Sequence, residues 1–312
     1  THVADVGLKL KQAGATGDGS PFVLTLQTGE LDIAADDVLG QIDFQAPDES
    51  TGTDAILVAA GVSAISEGDF SSSSNATKLS FKTGASEAAT EKMYITSAGN
   101  VNMKNTATGD DTPVVLTLQT GETDIAAADK LGVINFQAPD EGAGTDAILV
   151  AAGIEAISEG DFSTSNNATK LSFKTAASEA ATEKMHITSV GNVNMKNTAT
   201  GDDTPVVLTL QTGETDIASA DKLGVINFQA PDEGTGTDAI LVAAGIEAVS
   251  EGDFSSSSNA TKLSFKTASS AAAAETASLS SAGLFNATGL GIDAQKMQSF
   301  LLMFQNRSGA IN

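Results

Sequence analysis

"LTLQTGETDIAAADKLGVINFQAPDEGAGTDAILVAAG" runs from Leu116 to Gly153 and returns almost letter for letter from Leu208 to Gly245. Sliding the sequence by 92 residues aligns "SPFVLTLQTGE" at Ser20 with "TPVVLTLQTGE" at Thr112 and again at Thr204. Residues 112–176 and 204–268 share 60 of 65 positions, and 20–84 and 112–176 share 51 of 65, so the copies read as recent duplications. A fixed period of this length signals an array in which each unit stacks on its neighbours. A catalytic site is seldom needed three times in a row.

Within one copy the hydrophobic period is two. In "VVLTLQT" Leu116 and Leu118 oppose Thr117 and Gln119, and in "GVINFQ" Ile134 and Phe136 oppose Asn135 and Gln137; both predict half-buried strands. "TKLSFKT" continues the pattern with Leu171 and Phe173 inward, and "KMHITSVGNVNMKN" with Met185, Ile187, Val193 and Met195 inward. "AILVAAGIEAISEG" predicts a longer strand whose alternation slips near Gly153, where a bulge would re-aim the side chains. "ASEAATEKM" admits either one helical turn or a loop. The expectation is an all-β chain with five or six strands per unit.

The units divide the chain as follows. Residues 1–19 close a preceding repeat, 20–111 form repeat 1, 112–203 repeat 2 and 204–284 a third repeat with a diverged end. Residues 285–312 form a different C-terminal module. There Met297, Phe300, Leu301 and Phe304 suit a helix at i, i+3, i+4 and i+7, while "SFLLMFQN" suits a buried strand.

Composition narrows the function. The 312 residues include 13 Phe, one Tyr and no Trp, too few bulky side chains for a thick core in each unit. The apolar surface is therefore expected to be buried against neighbouring units or other chains. A net charge of -24, with Arg307 the single arginine, argues against a nucleic-acid partner. The absence of Cys excludes a disulfide framework and thiolate zinc ligation. No apolar run approaches the roughly 20 residues that span a bilayer, so no membrane insertion is expected.

The inventory for catalysis is poor. His186 stands where the neighbouring copies have Tyr94 and Ser278, and its parity opposite to Met185 and Ile187 directs it to solvent as a structural residue. Adjacent carboxylates such as Asp110 and Asp111, or Asp140 and Glu141, lie in predicted turns, where Asp favours tight backbone geometry rather than paired acid and base chemistry. "GAGTDAI" at Gly142 and "GTGTDAI" at Gly234 fit the core of calcium-binding nonapeptide repeats, which require a nine-residue period; the period here is 92, and the first copy carries Ser50 at the leading glycine. They read as acidic hairpin loops, and Asp140, Asp146, Asp232 and Asp238 are the only residues nominated for calcium. The "NAT" triplets at Asn75, Asn167, Asn259 and Asn286 read as turn and strand-entry residues. No catalytic residue and no cofactor are assigned.

The succession "LGVINFQAPDEG", "AILVAAGIEAISEGDFS", "ATKLSFKTAASEAATEKMHITSVGNVNM" resembles the repeat of bacteriophage tail fibres in the order and spacing of its strands, in all three copies. The resemblance implies an intertwined homotrimer forming an elongated fibre. It also implies a structural, non-enzymatic role: the fibre extends from the virion, joins other tail proteins at its N-terminal side and presents a tip to a host-surface glycan or protein. Assembly in the host cytoplasm and a place in the virion, extracellular after release, follow from it. Such repeats commonly precede a self-cleaving intramolecular chaperone, and "SFLLMFQNRSGAIN" resembles the strand and turn that lead into it. The resemblance thereby favours the strand over the helix there and implies that Asn312 lies near a cleavage end. A bacterial surface adhesin or extracellular filament built on similar repeats is the alternative. A glycan-cleaving spike would need converging carboxylates and aromatic platforms, and the sequence offers neither.

Overall fold

In the alternating pattern each apolar residue has a polar neighbour on either side along the chain, as Phe173 has Ser172 and Lys174, and the structure turns that pattern into strands. The computed structural model describes residues 21–47, 52–139, 144–231 and 237–288. Among them are fifteen strands and one 3-10 turn, Asp54–Ile56, and no helix is long and apolar enough to cross a membrane. The fold is all-β.

The strands form three five-stranded antiparallel sheets, each a meander in chain order. The first contains β1 (Val38–Gln45), β2 (Val58–Ser66), β3 (Thr77–Thr83), β4 (Thr90–Ile95) and β5 (Val101–Met103). The second contains β6 (Lys130–Phe136), β7 (Ala152–Ser158), β8 (Thr169–Thr175), β9 (Thr182–Ile187) and β10 (Val193–Met195). The third contains β11 (Lys222–Gln229), β12 (Val242–Ser250), β13 (Thr261–Thr267), β14 (Ala274–Leu279) and β15 (Phe285–Ala287). β15 lies beyond residue 284, so the third sheet takes its closing strand from the segment expected to begin the C-terminal module. By compactness the chain divides into two units, residues 1–125 with 130–133 and residues 126–129 with 134–312. The first unit holds the first sheet.

Two expectations are corrected and one is located more closely. "VVLTLQT" is not a half-buried strand: residues 113–120 and 205–212 join no ladder, as do 21–27 in the first copy. Their apolar side chains are exposed, Val115 at 75% and Val207 at 74%. Among the described residues these segments meet a sheet by side-chain contact and not by a ladder, so the alternation is not matched by backbone pairing. These segments still touch their sheet at one point, since a Cβ on Gly40 would come within 2.8 Å of the Leu26 Cβ, and only glycine permits that crossing. Secondly, the slip expected near Gly153 is present beside the equivalent glycine of the first copy: Gly153 pairs regularly with Lys174, as Gly61 pairs with Lys82. The irregularity falls two residues earlier, between the pairs Phe44 with Ala60 and Gln45 with Val58. Thirdly, the residues expected to point inward are only partly covered, with Leu171 at 40% and Phe136 at 54% exposed. "ASEAATEKM" resolves as a loop leading into a strand, with β9 beginning at Thr182.

Candidate functional site

Register decides which side chains share a face, because residues paired across a ladder point the same way. In the first sheet Ile42, Val62, Phe81, Met93 and Met103 form one cross-strand row. Gly40, Ala64, Leu79, Ile95 and Val101 form the next. The second sheet repeats this with Ile154, Phe173, Met185 and Met195 beside Ala156, Leu171, Ile187 and Val193. The third carries Ile226, Ile246, Phe265, Ala277 and Ala287 beside Gly224, Ala248, Leu263, Leu279 and Phe285. No charged residue stands in any of these rows.

The apolar face is the uncovered one. Ile42, Phe44, Leu79, Val101 and Met103 are all exposed, as are Ile226, Phe228, Leu263, Leu279 and Phe285. The only buried hydrophobic side chains among the described residues are Ala181, Val249 and Ala273. What a sandwich would cover with a second layer is covered here only in part, where Leu26 crosses Gly40 and where residues 113–115 lie beside Met93 and Met103.

The opposite face is polar, and it is where burial occurs. Ser63, Ser80, Ser172 and Ser264 are almost wholly covered, because the long side chains beside them fold over the small hydroxyls. Ser80 pairs with Tyr94 and Ser172 with His186 across the ladder. On this face Glu183 Oε2 lies 2.8 Å from Lys170 Nζ and its Oε1 lies 3.1 Å from Lys196 Nζ. Burial pushes the Glu183 carboxyl up, but the Lys170 and Lys196 ammoniums and the Ser172 hydroxyl outweigh it and hold it at about 2. Glu91 repeats the arrangement with Lys78 at 3.3 Å and Lys104 at 3.0 Å. Glu247 sits between Lys266 at 2.8 Å and Lys222 at 3.0 Å; burial raises its pKa, the two lysines lower it further, and the net shift is downward.

His186 lies on the polar face, as its parity implies, but half-buried against Glu183, with Nδ1 at 2.9 Å from Oε1. In an unbroken strand residues three apart face opposite ways. Here the register slips between Phe173 and Lys174, so that Phe173 pairs with Met185 and Lys174 with Glu183; Lys184 is the extra residue of a bulge, and Glu183 joins His186 on one face. That contact has no signal in the sequence period.

Of the residues nominated for calcium, Asp140 and Asp232 lie outside the described residues. Asp146 is exposed and its backbone carbonyl accepts the Leu149 N–H at 3.0 Å; that of Asp238 accepts the Leu241 N–H at 3.1 Å. Both belong to turns, and the described residues contain no group of three or more His, Cys, Asp and Glu that could hold a metal ion. Asp111 also lies in a turn, at φ 55°. The clefts are shallow. One of about 360 Å³ lies between Met93, Met103 and the segment Pro113–Val115, and its counterpart of about 460 Å³ lies between Met185, Met195 and Pro205–Val207. The extended geometry that the site offers chemically is therefore a surface for apolar contact.

No family model and no curated protein matches the sequence. Among solved structures the chain is similar to the carboxy-terminal domain of the bacteriophage T5 L-shaped tail fibre, with 11% identity, a TM-score of 0.25, and 65% of this chain and 96% of that chain covered. It is likewise similar to that domain with its intra-molecular chaperone domain, at 11% identity and a TM-score of 0.25, with 72% of this chain and 71% of that chain covered.

Proposed function

We propose that the chain is a structural segment of a bacteriophage tail fibre, assembled as a homotrimer in which the apolar faces of the three sheets meet those of two further copies. The observation that carries this reading is the largely exposed apolar face, repeated on three sheets and free of charge. Five strands at about 4.8 Å spacing, with about five residues each at about 3.3 Å rise, give a face of roughly 400 Å². Three such faces approach roughly 1,200 Å² per chain, more than the roughly 800 Å² that each partner contributes to a stable interface. A chain that left this much apolar surface in water would aggregate. The order of strand motifs supports the fibre class, and the near-identical units support a spacer role.

On this reading the fibre joins other tail proteins at its N-terminal side, presents a tip to a host-surface glycan or protein, and performs no catalysis. It is assembled in the host cytoplasm and resides in the virion. Light scattering on the purified chain should give three times its 31.4 kDa mass, and negative-stain electron microscopy should show rods on phage tails labelled by antibodies to the chain. A stable folded monomer would overturn the reading, and rods on a bacterial surface would reassign it to an adhesin.

A further inference from the structure

Each unit carries two backbone rows that no described residue pairs. One is the outer edge of the first strand of each sheet: β1, β6 and β11 are terminal in their sheets, and among the described residues no strand lies on their far side. These edges are seven or eight residues long, whereas β5, β10 and β15 at the opposite border have three. A long open edge is a template for a further strand.

The other row is the segment 113–120, "PVVLTLQT", with its copy at 205–212. Among the described residues no backbone hydrogen bond involves residues 114–121 or 206–213. The segment has no charged residue, no glycine and no positive φ, and its side chains alternate through Leu116, Thr117, Leu118 and Gln119. It has the length and the alternation of a strand and lacks a neighbour.

Its own sheet does not supply one. A Cβ on Gly132 would come within 2.9 Å of the Leu118 Cβ, and one on Gly224 within 2.8 Å of the Leu210 Cβ. Side chains stand roughly perpendicular to the plane of a strand. A segment whose leucine reaches down onto the face of β6 therefore lies in a layer above it, and its N–H and C=O groups point along that layer. On the trimeric reading, on which this inference rests, that layer is where another copy docks. Closing an apolar face over an unpaired main chain removes its water without replacing the hydrogen bonds. The occupant must then offer a row of donors and acceptors together with apolar side chains. The border strand of another copy offers both, at matching length. Every copy has one such segment and one such edge at each level, so a ring of copies closes with none left over.

We infer that residues 113–120 of each chain form a sixth strand on the open edge of β6 in a neighbouring copy, and that residues 205–212 do the same on β11. The segment then holds two chains at once: Leu118 packs on its own Gly132 while the main chain joins the neighbour's ladder. Strand addition of this kind draws affinity from main-chain bonds and register from the alternating side chains.

Hydrogen exchange on the assembled native chain, read residue by residue by mass spectrometry, tests the ladder. At least every second amide of 114–120 and 206–212 should exchange at least about a hundredfold more slowly than in the free peptide "PVVLTLQT", because one side of an added strand is hydrogen-bonded. A photoreactive p-benzoylphenylalanine placed at Gln119, which is exposed and opposite in parity to Leu118, reports which chain lies alongside. Irradiation should give a covalent dimer on denaturing electrophoresis, with the adduct mapping to β6. Adducts confined to single chains would put the segment on its own sheet and overturn the inference, as would a dimer joined away from β6. A trimer whose segment amides exchange as fast as the free peptide also overturns it and leaves the trimer standing. A native chain of monomer mass would refute the trimeric reading itself.

Discussion

The buried Ser66 hydroxyl accepts the backbone N–H of Asp37 at 2.9 Å and donates to the Ala34 carbonyl, tying the end of β2 to a loop 29 residues upstream. Ser158 with Asp129 and Ser250 with Asp221 repeat the bond at 2.9 Å. The loop is closed on itself by the Asp37 carboxylate, which accepts the Ala34 N–H at 2.6 Å. Replacing Ser66 by Ala leaves the partly buried Asp37 N–H and the Ala34 carbonyl with only the long bond of 3.4 Å between them, a loss of about 1–2 kcal/mol. Thermal unfolding of Ser66→Ala, Ser158→Ala and Ser250→Ala should show a destabilisation of that size in each, and an unchanged midpoint in all three would remove the role assigned to the bond.

The same loop holds a strained residue. Ala128 has φ 74° and Ala220 φ 75°, where Asp36 stands in the first copy at φ 71°. Left-handed backbone costs an alanine about 1–2 kcal/mol, whereas glycine gives up about 0.4–1 kcal/mol in unfolded-state entropy. Ala128→Gly and Ala220→Gly should therefore each stabilise by about 0.5 kcal/mol in chemical denaturation. Asp36→Gly should gain less, because Asp tolerates this conformation better. An equal or larger gain at Asp36 would contradict the strain argument.

Glu183 supplies a pH dependence whose sign is fixed. Its carboxyl is depressed from 4.5 to about 2 in the folded chain, so the stability it contributes is complete above 4.5 and is lost as pH falls towards 2. The difference in unfolding free energy between the native chain and Glu183→Gln should shrink steadily across that window and stay flat above it. A difference that grows on acidification would show that the two lysines do not hold the carboxylate as the geometry indicates.

The Ser63 hydroxyl is buried without a hydrogen-bond partner among the described residues, at the position where the other sheets carry Glu155 and Glu247. An unpaired buried hydroxyl costs about 1 kcal/mol or more. Ser63→Ala should raise stability by about 1 kcal/mol in urea titration, while Ser66→Ala lowers it, and a loss at both sites would mean that Ser63 finds a partner in solution.

Much of the sheet was legible in the sequence. The period-two pattern of "TKLSFKT" placed Leu171 and Phe173 on one face, and the parity of His186 placed it on the other. The pattern of Val114, Leu116 and Leu118 is equally regular, yet these residues join no ladder. Period two reports that alternate side chains are to be covered. It carries no information on whether the cover comes from the same chain, and an unpaired segment shows the same alternation as a paired strand. The bonds made by Ser66 and the Glu183 contact to His186 were invisible for another reason. The first joins residues far apart in sequence, and the second depends on a bulge at Lys184 that reverses the local parity.

Deleting residues 112–203 should shorten the assembly by one unit and leave trimer formation intact. The deletion joins Asp111 to Thr204 and recreates the native word "GDDTPVVLTL". The junction is also equivalent in three dimensions. Asp111 has φ 55° and Asp203 φ 56°, while the Thr112 hydroxyl donates to the Gly109 carbonyl at 3.0 Å as the Thr204 hydroxyl donates to Gly201 at 2.9 Å. Thr204 would therefore close the same turn over Gly109 with no change of backbone conformation. The deleted stretch removes β6 to β10 as a whole sheet, so no strand of the remaining sheets loses a neighbour. The first and third sheets keep their own apolar faces. Light scattering should give a trimer of the shorter chain, and cryo-electron microscopy a rod shorter by one repeat. Stability per chain should fall only by the contribution of one unit and its junction. A deletion that fails to trimerise, or that trimerises normally but abolishes host binding, would show that the middle unit does something more specific than add length.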